Sequence, residues 1–80
     1  MKINKNFAIS ESGFAFNGST GDTFLLNETA LFIIQKIQQG ASKEEIINSI
    51  VDQFDVTFLT AEKDFLDFLN QLKMFEVIEE

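Results

Sequence analysis

Up to residue 26 the apolar positions come in short pieces. Beyond it they recur with a helical period. Phe7-Ala8-Ile9-Ser10-Glu11 is the first piece, broken by Ser12-Gly13. Phe14-Ala15-Phe16 is the second, and a period of two places Phe14 and Phe16 on one face, expected to point inward. Asn17-Gly18-Ser19-Thr20-Gly21-Asp22 is a turn cluster whose Asn-Gly and Gly-Asp steps suit positive φ angles. In Thr23-Phe24-Leu25-Leu26, the third piece, Leu25 faces away from Phe24 and Leu26. The pattern predicts an antiparallel meander with strands at about 7–11, 13–17 and 22–26.

Three helices follow, at about 28–39, 43–54 and 60–74. Asn27 caps the first, Glu28 sits in its first turn, and Gly40 is a natural residue to end it. Its core stripe is Ala30, Ile33, Ile34 and Ile37, with Leu31 on the flank and Phe32 roughly opposite. Ser42-Lys43-Glu44-Glu45 is a capping box for the second helix. Ile46, Ile47, Ile50, Val51 and Phe54 then share one face. Thr57 and Thr60 both qualify as the cap of the third helix, whose inner stripe is Ala61, Phe65, Phe68, Leu69 and Leu72. Glu62, Lys63, Asp67 and Asn70 look outward. Phe75-Glu76-Val77-Ile78 leans toward a final short strand, and Glu79-Glu80 closes in charge. The order predicts an α+β, winged-helix-like fold: a three-stranded antiparallel sheet packed on three helices.

Composition changes this picture mainly by what it lacks. At 80 residues the chain is read as one domain, residues 1–80. A chain so short buries only about 60% of the surface it exposes when unfolded. Stability must come from the 45% of residues that are apolar, ten of them Phe. There is no Cys or His, so disulfides, ordinary zinc sites and the commonest catalytic base and thiol are all absent. Neither a catalytic residue, a metal site nor a cofactor is expected. Net charge is −7, and the basic residues Lys2, Lys5, Lys36, Lys43, Lys63 and Lys73 are scattered. Such a field repels phosphate, so neither nucleic acid nor its backbone is an expected partner. No apolar run approaches a membrane span and no signal-type segment follows Met1-Lys2, so a cytoplasmic, membrane-free protein is expected.

Candidate motifs are few. The 17–22 cluster lacks the ligand order of a calcium loop and the Gly-Lys-Ser/Thr of a phosphate loop. The carboxylates Glu28, Glu44, Glu45, Asp52, Asp55, Glu62, Asp64 and Asp67 suit helix N-termini and solvated faces. Three apolar positions stand outside the core pattern: Leu25, Phe32 and the pair Phe58-Leu59, which falls in an expected connection. A contiguous group of that kind marks a partner surface.

Several features occur in a meaningful order. Gly13-Phe14-Ala15-Phe16 precedes a turn, and Leu26-Asn27-Glu28-Thr29-Ala30 joins strand to helix. Gly40 precedes a capped helix, Phe54-Asp55-Val56 ends it, and Ala61-Glu62-Lys63-Asp64-Phe65 leads to Phe68-Leu69 and Leu72. That set, from Ser12 to Ile78, resembles PqqD-like proteins of the pyrroloquinoline quinone synthesis protein D type. These are peptide chaperones, also called RiPP recognition elements, that serve ribosomally made, post-translationally modified peptides. The resemblance implies a non-enzymatic adaptor. It binds the leader of a precursor peptide and presents it to a modifying enzyme, often a radical SAM enzyme.

In that family the leader adds as a strand beside the third strand, in a groove shared with the third helix. This is β-augmentation. Carried onto this sequence, the resemblance implies an edge at Asp22, Thr23, Phe24, Leu25 and Leu26, and a wall of Asp64, Phe68, Gln71 and Phe75. Phe32, Phe58 and Leu59 are candidates for a second contact surface, toward the enzyme or in a weak homodimer of an otherwise monomeric protein. One departure is Glu76, where the family pattern often has Gly; the helix stop is expected to differ there. Two other readings remain open on the sequence: a winged-helix nucleic-acid binder, which the charge opposes, and a non-catalytic oligomerisation module.

Overall fold

The computed structural model describes residues 1–79; Glu80, read above as part of a charged end, lies outside them. Chain order gives β1 (Lys2–Ile3), β2 (Phe7–Ile9), β3 (Phe14–Asn17), β4 (Thr23–Leu25), α1 (Glu28–Gln38), α2 (Lys43–Phe54), α3 (Phe58–Met74) and β5 (Ile78–Glu79). Strands β2, β3 and β4 form an antiparallel sheet in that spatial order, set with the three helices in an α+β, winged-helix-like arrangement. A separate two-stranded pairing joins β1 to β5, with Ile3 opposite Ile78. The hydrophobic pattern gave no sign of β1, because two residues are too few to show a period.

The first strand stops at Ile9 rather than residue 11, since Ser10–Gly13 closes a tight turn: Gly13 N–H donates to Ser10 O at 3.0 Å. Gly13 holds a φ of +88°, and a Cβ there would stand 2.7 Å from the carbonyl oxygen of Leu26. Only glycine lets β3 and the end of β4 meet this closely.

The face of β3 is opposite to the one hydrophobicity suggested. Phe14 and Phe16 are 59% and 45% exposed, whereas Ala15 and Asn17 are 1% and 0% exposed. The cause is Asn17, which ends the strand where the turn cluster begins, as the pattern predicts, but with its side chain turned inward. Its Nδ2 donates to Phe75 O at 3.0 Å and Glu76 O at 3.4 Å, and its Oδ1 accepts from Ser19 N–H at 2.9 Å. The buried amide is satisfied in this way, and leaving such groups unpaired would cost about 1–3 kcal/mol each, comparable with what burying the rings would contribute. With Asn17 inward, the pleat turns Phe14 and Phe16 outward.

The helices follow their caps. Asn27 Oδ1 accepts from Ala30 N–H at 2.8 Å. Ser42 and Glu45 complete both bonds of the capping box. Hydrogen bonding to the Ser42 backbone, and then to its side chain, holds the exposed Glu45 carboxyl below its usual range. Of the two candidates for α3, Thr57 is the cap, its side chain accepting from Thr60 N–H. The helix therefore starts at Phe58 rather than residue 60, and Phe58 and Leu59 lie exposed in its first turn rather than in a connection. Ile33, Ile34, Ile37, Ile46, Ile47, Ile50, Ala61, Phe65 and Leu72 form the core with Phe7 and Ala15 from the sheet. Phe32, placed on the open side by its period, is half-buried instead. Its ring meets Phe54 edge-on at 5.4 Å, and Lys36 Nζ stands 5.3 Å from its centroid. The contact of α1 with α2 is wider than a single stripe, and Phe32 belongs to it.

Candidate binding groove

Strand β4 lies at one edge of its sheet, paired among the described residues only with β3. Asn17 N–H donates to Asp22 O at 2.9 Å, and Leu26 N–H donates to Gly13 O at 2.8 Å. Residues 22, 24 and 26 therefore turn their peptide groups toward β3. By the alternation of an antiparallel ladder, the N–H and C=O of Thr23 and Leu25 point the other way, to the open edge. Their side chains lie on the outer face beside Phe16 and Phe14, their register partners, and Leu25 is 80% exposed.

Alongside this edge runs a groove of about 650 Å³ between β4, the start of α1 and the outer shoulder of α3. Thr23, Phe24, Leu25 and Leu26 supply the strand side, and Asp64, Phe68, Gln71 and Phe75 supply the helix side. Positions 64, 68, 71 and 75 share one face of α3 because they recur at helical spacing. The aromatic end of the groove is fixed from both sides. The Phe24 ring stands 6.1 Å from Phe7 and 5.4 Å from Phe75, the latter edge-on. Phe75 is in turn held through its carbonyl by Asn17.

Asp22 does not line the groove. Its carboxylate accepts from Thr20 Oγ1 at 2.8 Å, so it closes the turn before β4. Asp67, which faces solvent in the sequence pattern, does line it, as do Asn27 and Thr29 at the start of α1. The helical period alone could have found Asp67, which lies one turn from both Asp64 and Gln71. Asn27 and Thr29 depend on how α1 leaves the sheet, which no local pattern encodes.

The end of α3 also shapes the site. Glu76 adopts a φ of +58°, while Glu76 N–H donates to Lys73 O and Val77 N–H to Leu72 O. This is the Schellman closure that ordinarily uses glycine. The stop expected to differ is thus built normally, with glutamate in the left-handed conformation. Its carbonyl also accepts from Asn4 Nδ2 at 3.1 Å. Asn4, itself buried, donates its N–H to Val77 O at 2.7 Å. Two asparagines therefore clamp the chain just where Phe75 enters the groove.

Among the described residues no group of His, Cys, Asp and Glu is placed to hold a metal ion. No helix among them is long and apolar enough to cross a membrane. The groove offers hydrogen-bonding backbone, aromatic surface and two carboxylates, which suits binding an extended chain.

No curated protein matches the sequence at a significant level. Among solved structures the fold is similar to that of TbiB1 in complex with the TbiA(beta) leader peptide, at 29% identity and a TM-score of 0.89. The match covers 99% of this chain and 95% of that one. It is also similar to lasso peptide synthetase B1 complexed with the leader peptide, at 22% identity and a TM-score of 0.80, over 91% of this chain and 89% of that one. At the lower identity the likeness is one of fold alone. The model of the family described as Coenzyme PQQ synthesis protein D (PqqD) matches residues 13–78, from the glycine that opens β3 to the first residue of β5, and the chain therefore belongs to the PqqD family.

Proposed function

We propose that this protein is a leader-peptide adaptor. It takes an extended segment of a ribosomally made precursor as an added strand on β4 and holds it for a separate modifying enzyme. The carrying observation is the open edge at Thr23 and Leu25 beside a groove walled by α3. Backbone bonds to that edge give affinity, and the groove gives sequence choice. The likeness to TbiB1, solved with a leader peptide, supports the same reading. The role is non-catalytic. A radical SAM enzyme is the class of partner the family resemblance favours, and the exposed pair Phe58 and Leu59 is the surface we assign to it. Nucleic acid fits poorly: the chain carries a net charge of −7, and no lysine among the described residues lines the groove.

A tagged pull-down from the native host, with mass spectrometry tuned for short peptides, tests this. The expected result is a small precursor peptide recovered with an iron–sulfur enzyme, and loss of the peptide with Leu25→Pro. That variant removes the outward N–H of Leu25 at an edge position, where proline is tolerated. Recovery of the peptide undiminished with Leu25→Pro contradicts strand addition.

A further inference from the structure

The α3 wall of the groove changes chemistry along its length. Phe75 stands at its end, Phe68 near mid-helix, and Asp64 and Asp67 on the side of Phe68 nearer its start, both exposed to solvent. Among the described residues no cationic side chain lines the groove, and neither aspartate has an ion-pair partner. The start of α1 also borders the groove. Its partial positive charge is already answered by the Asn27 cap and by Glu28 in the first turn. The groove thus presents an aromatic seat from its middle to its end, adjoined toward its start by two negative charges with no ion-pair partner among the described residues.

We infer that the peptide bound here carries a lysine or arginine facing Asp64 and Asp67, in addition to an apolar side chain seated among Phe24, Phe68 and Phe75. This rests on the strand-addition reading above and names the ligand chemistry of that same site. Geometry sets the spacing. Asp67 to Phe75 spans about 12 Å of helix axis, which an extended strand covers in about four residues. An even separation keeps both side chains on the groove side of the added strand, while the residues between them face outward beside Leu25. Asp64 and Asp67 are therefore specificity-determining residues, choosing among leaders that the β4 edge would otherwise accept alike.

The test uses a displayed library of random peptides, long enough to pair along β4, selected in parallel on three proteins. These are the wild type, the double variant Asp64→Asn with Asp67→Asn, and Leu25→Pro. The wild type should enrich peptides with a basic residue about four positions from an apolar one, as the rise per residue of helix and strand requires. The double variant should keep the apolar preference and lose the basic one. It should bind the wild-type selections about three- to tenfold more weakly, as expected of a partly solvated charge pair. Raised salt should weaken the wild type toward the same level. Both aspartates are exposed, so circular dichroism should show the double variant folded. If peptides depend on the edge but show no basic preference, or if the double variant retains that preference, the charge inference is wrong and strand addition stands. If the selected peptides bind Leu25→Pro as well as wild type, both fall together.

Discussion

The two faces of the β3–β4 hairpin are built by opposite rules. The inner face buries a small residue and an amide, Ala15 and Asn17, while the outer face leaves Phe14, Phe16 and Leu25 in solvent. Register follows the hydrogen-bonding demand of Asn17, whose partners Phe75 O and Glu76 O come from the far end of the chain. Apolar content decides little here. What the molecule gains is a fixed Phe75, hence a shaped groove, beside a strand whose outward peptide groups are unused. The inner face is about stability and placement, and the edge is where we propose that binding occurs.

If that division holds, substitutions should separate cleanly. The largest effect should come from Asn17→Leu, which takes the side-chain donor from Phe75 O and the acceptor from Ser19 N–H, at about 1–3 kcal/mol for a buried group left unpaired, while Glu76 O keeps Asn4 Nδ2. An 80-residue domain has only about 4–12 kcal/mol in total, at roughly 0.05–0.15 kcal/mol per residue. Denaturant unfolding should show a loss of about 2 kcal/mol or more, because the inward Phe75 carbonyl loses its side-chain donor and the turn loses its Ser19 bond at once. A loss below about 1 kcal/mol, the ordinary net worth of one hydrogen bond, would mean another force sets the register.

Leu25→Pro should do the reverse. Its stability should change by less than about 1 kcal/mol, since its N–H is not part of the ladder, while binding of an extended peptide should fall at least tenfold. Global unfolding in that variant would place Leu25 inside the fold's own bonding rather than at a free edge.

Glu76→Gly sharpens the placement half of the comparison. The left-handed φ of +58° costs a non-glycine residue strain that glycine avoids. The substitution should raise stability by up to about 1 kcal/mol, measured as a higher melting temperature, with the Asn17 bonds retained. Phe14→Ser on the outer face should stay within about 0.5 kcal/mol of wild type, as surface changes do.

The smallest effect lies away from both faces, at Glu45. Hydrogen bonds to Ser42 lower its folded pKa. Its contribution is therefore present above the usual glutamate pKa and is lost as pH falls through the lowered folded value. In Glu45→Ala, the acid side of the stability profile should be shallower than in wild type, as read by unfolding across a pH series.

The same division explains what could be read from the sequence. The helical stripes are legible because each side chain's burial follows from a period of 3.6. Ala30, Ile33, Ile34 and Ile37 are buried as their spacing requires, as are Ile46, Ile47 and Ile50. The caps at Asn27 and Ser42 are legible because their partners lie three residues away. Phe14-Ala15-Phe16 misleads because the group that orients it acts across the whole fold. Strand β1 escapes notice for the same reason, since its partner β5 is at the opposite end of the sequence. In the groove, the outward alternation of Leu25 is a local signal, and so is the α3 stripe through Phe68 and Phe75. The role of Asn17 in holding Phe75, and the border formed by Asn27 and Thr29, arise only when distant segments meet.

Amide hydrogen exchange at β4, followed by NMR with and without the precursor peptide recovered in the pull-down, tests strand addition most directly. Strand addition predicts that the amides of Thr23 and Leu25 become protected on binding, while that of Phe24, already directed at β3, changes little. Tight binding of the peptide with Thr23 and Leu25 exchanging as fast as in the free protein would contradict it.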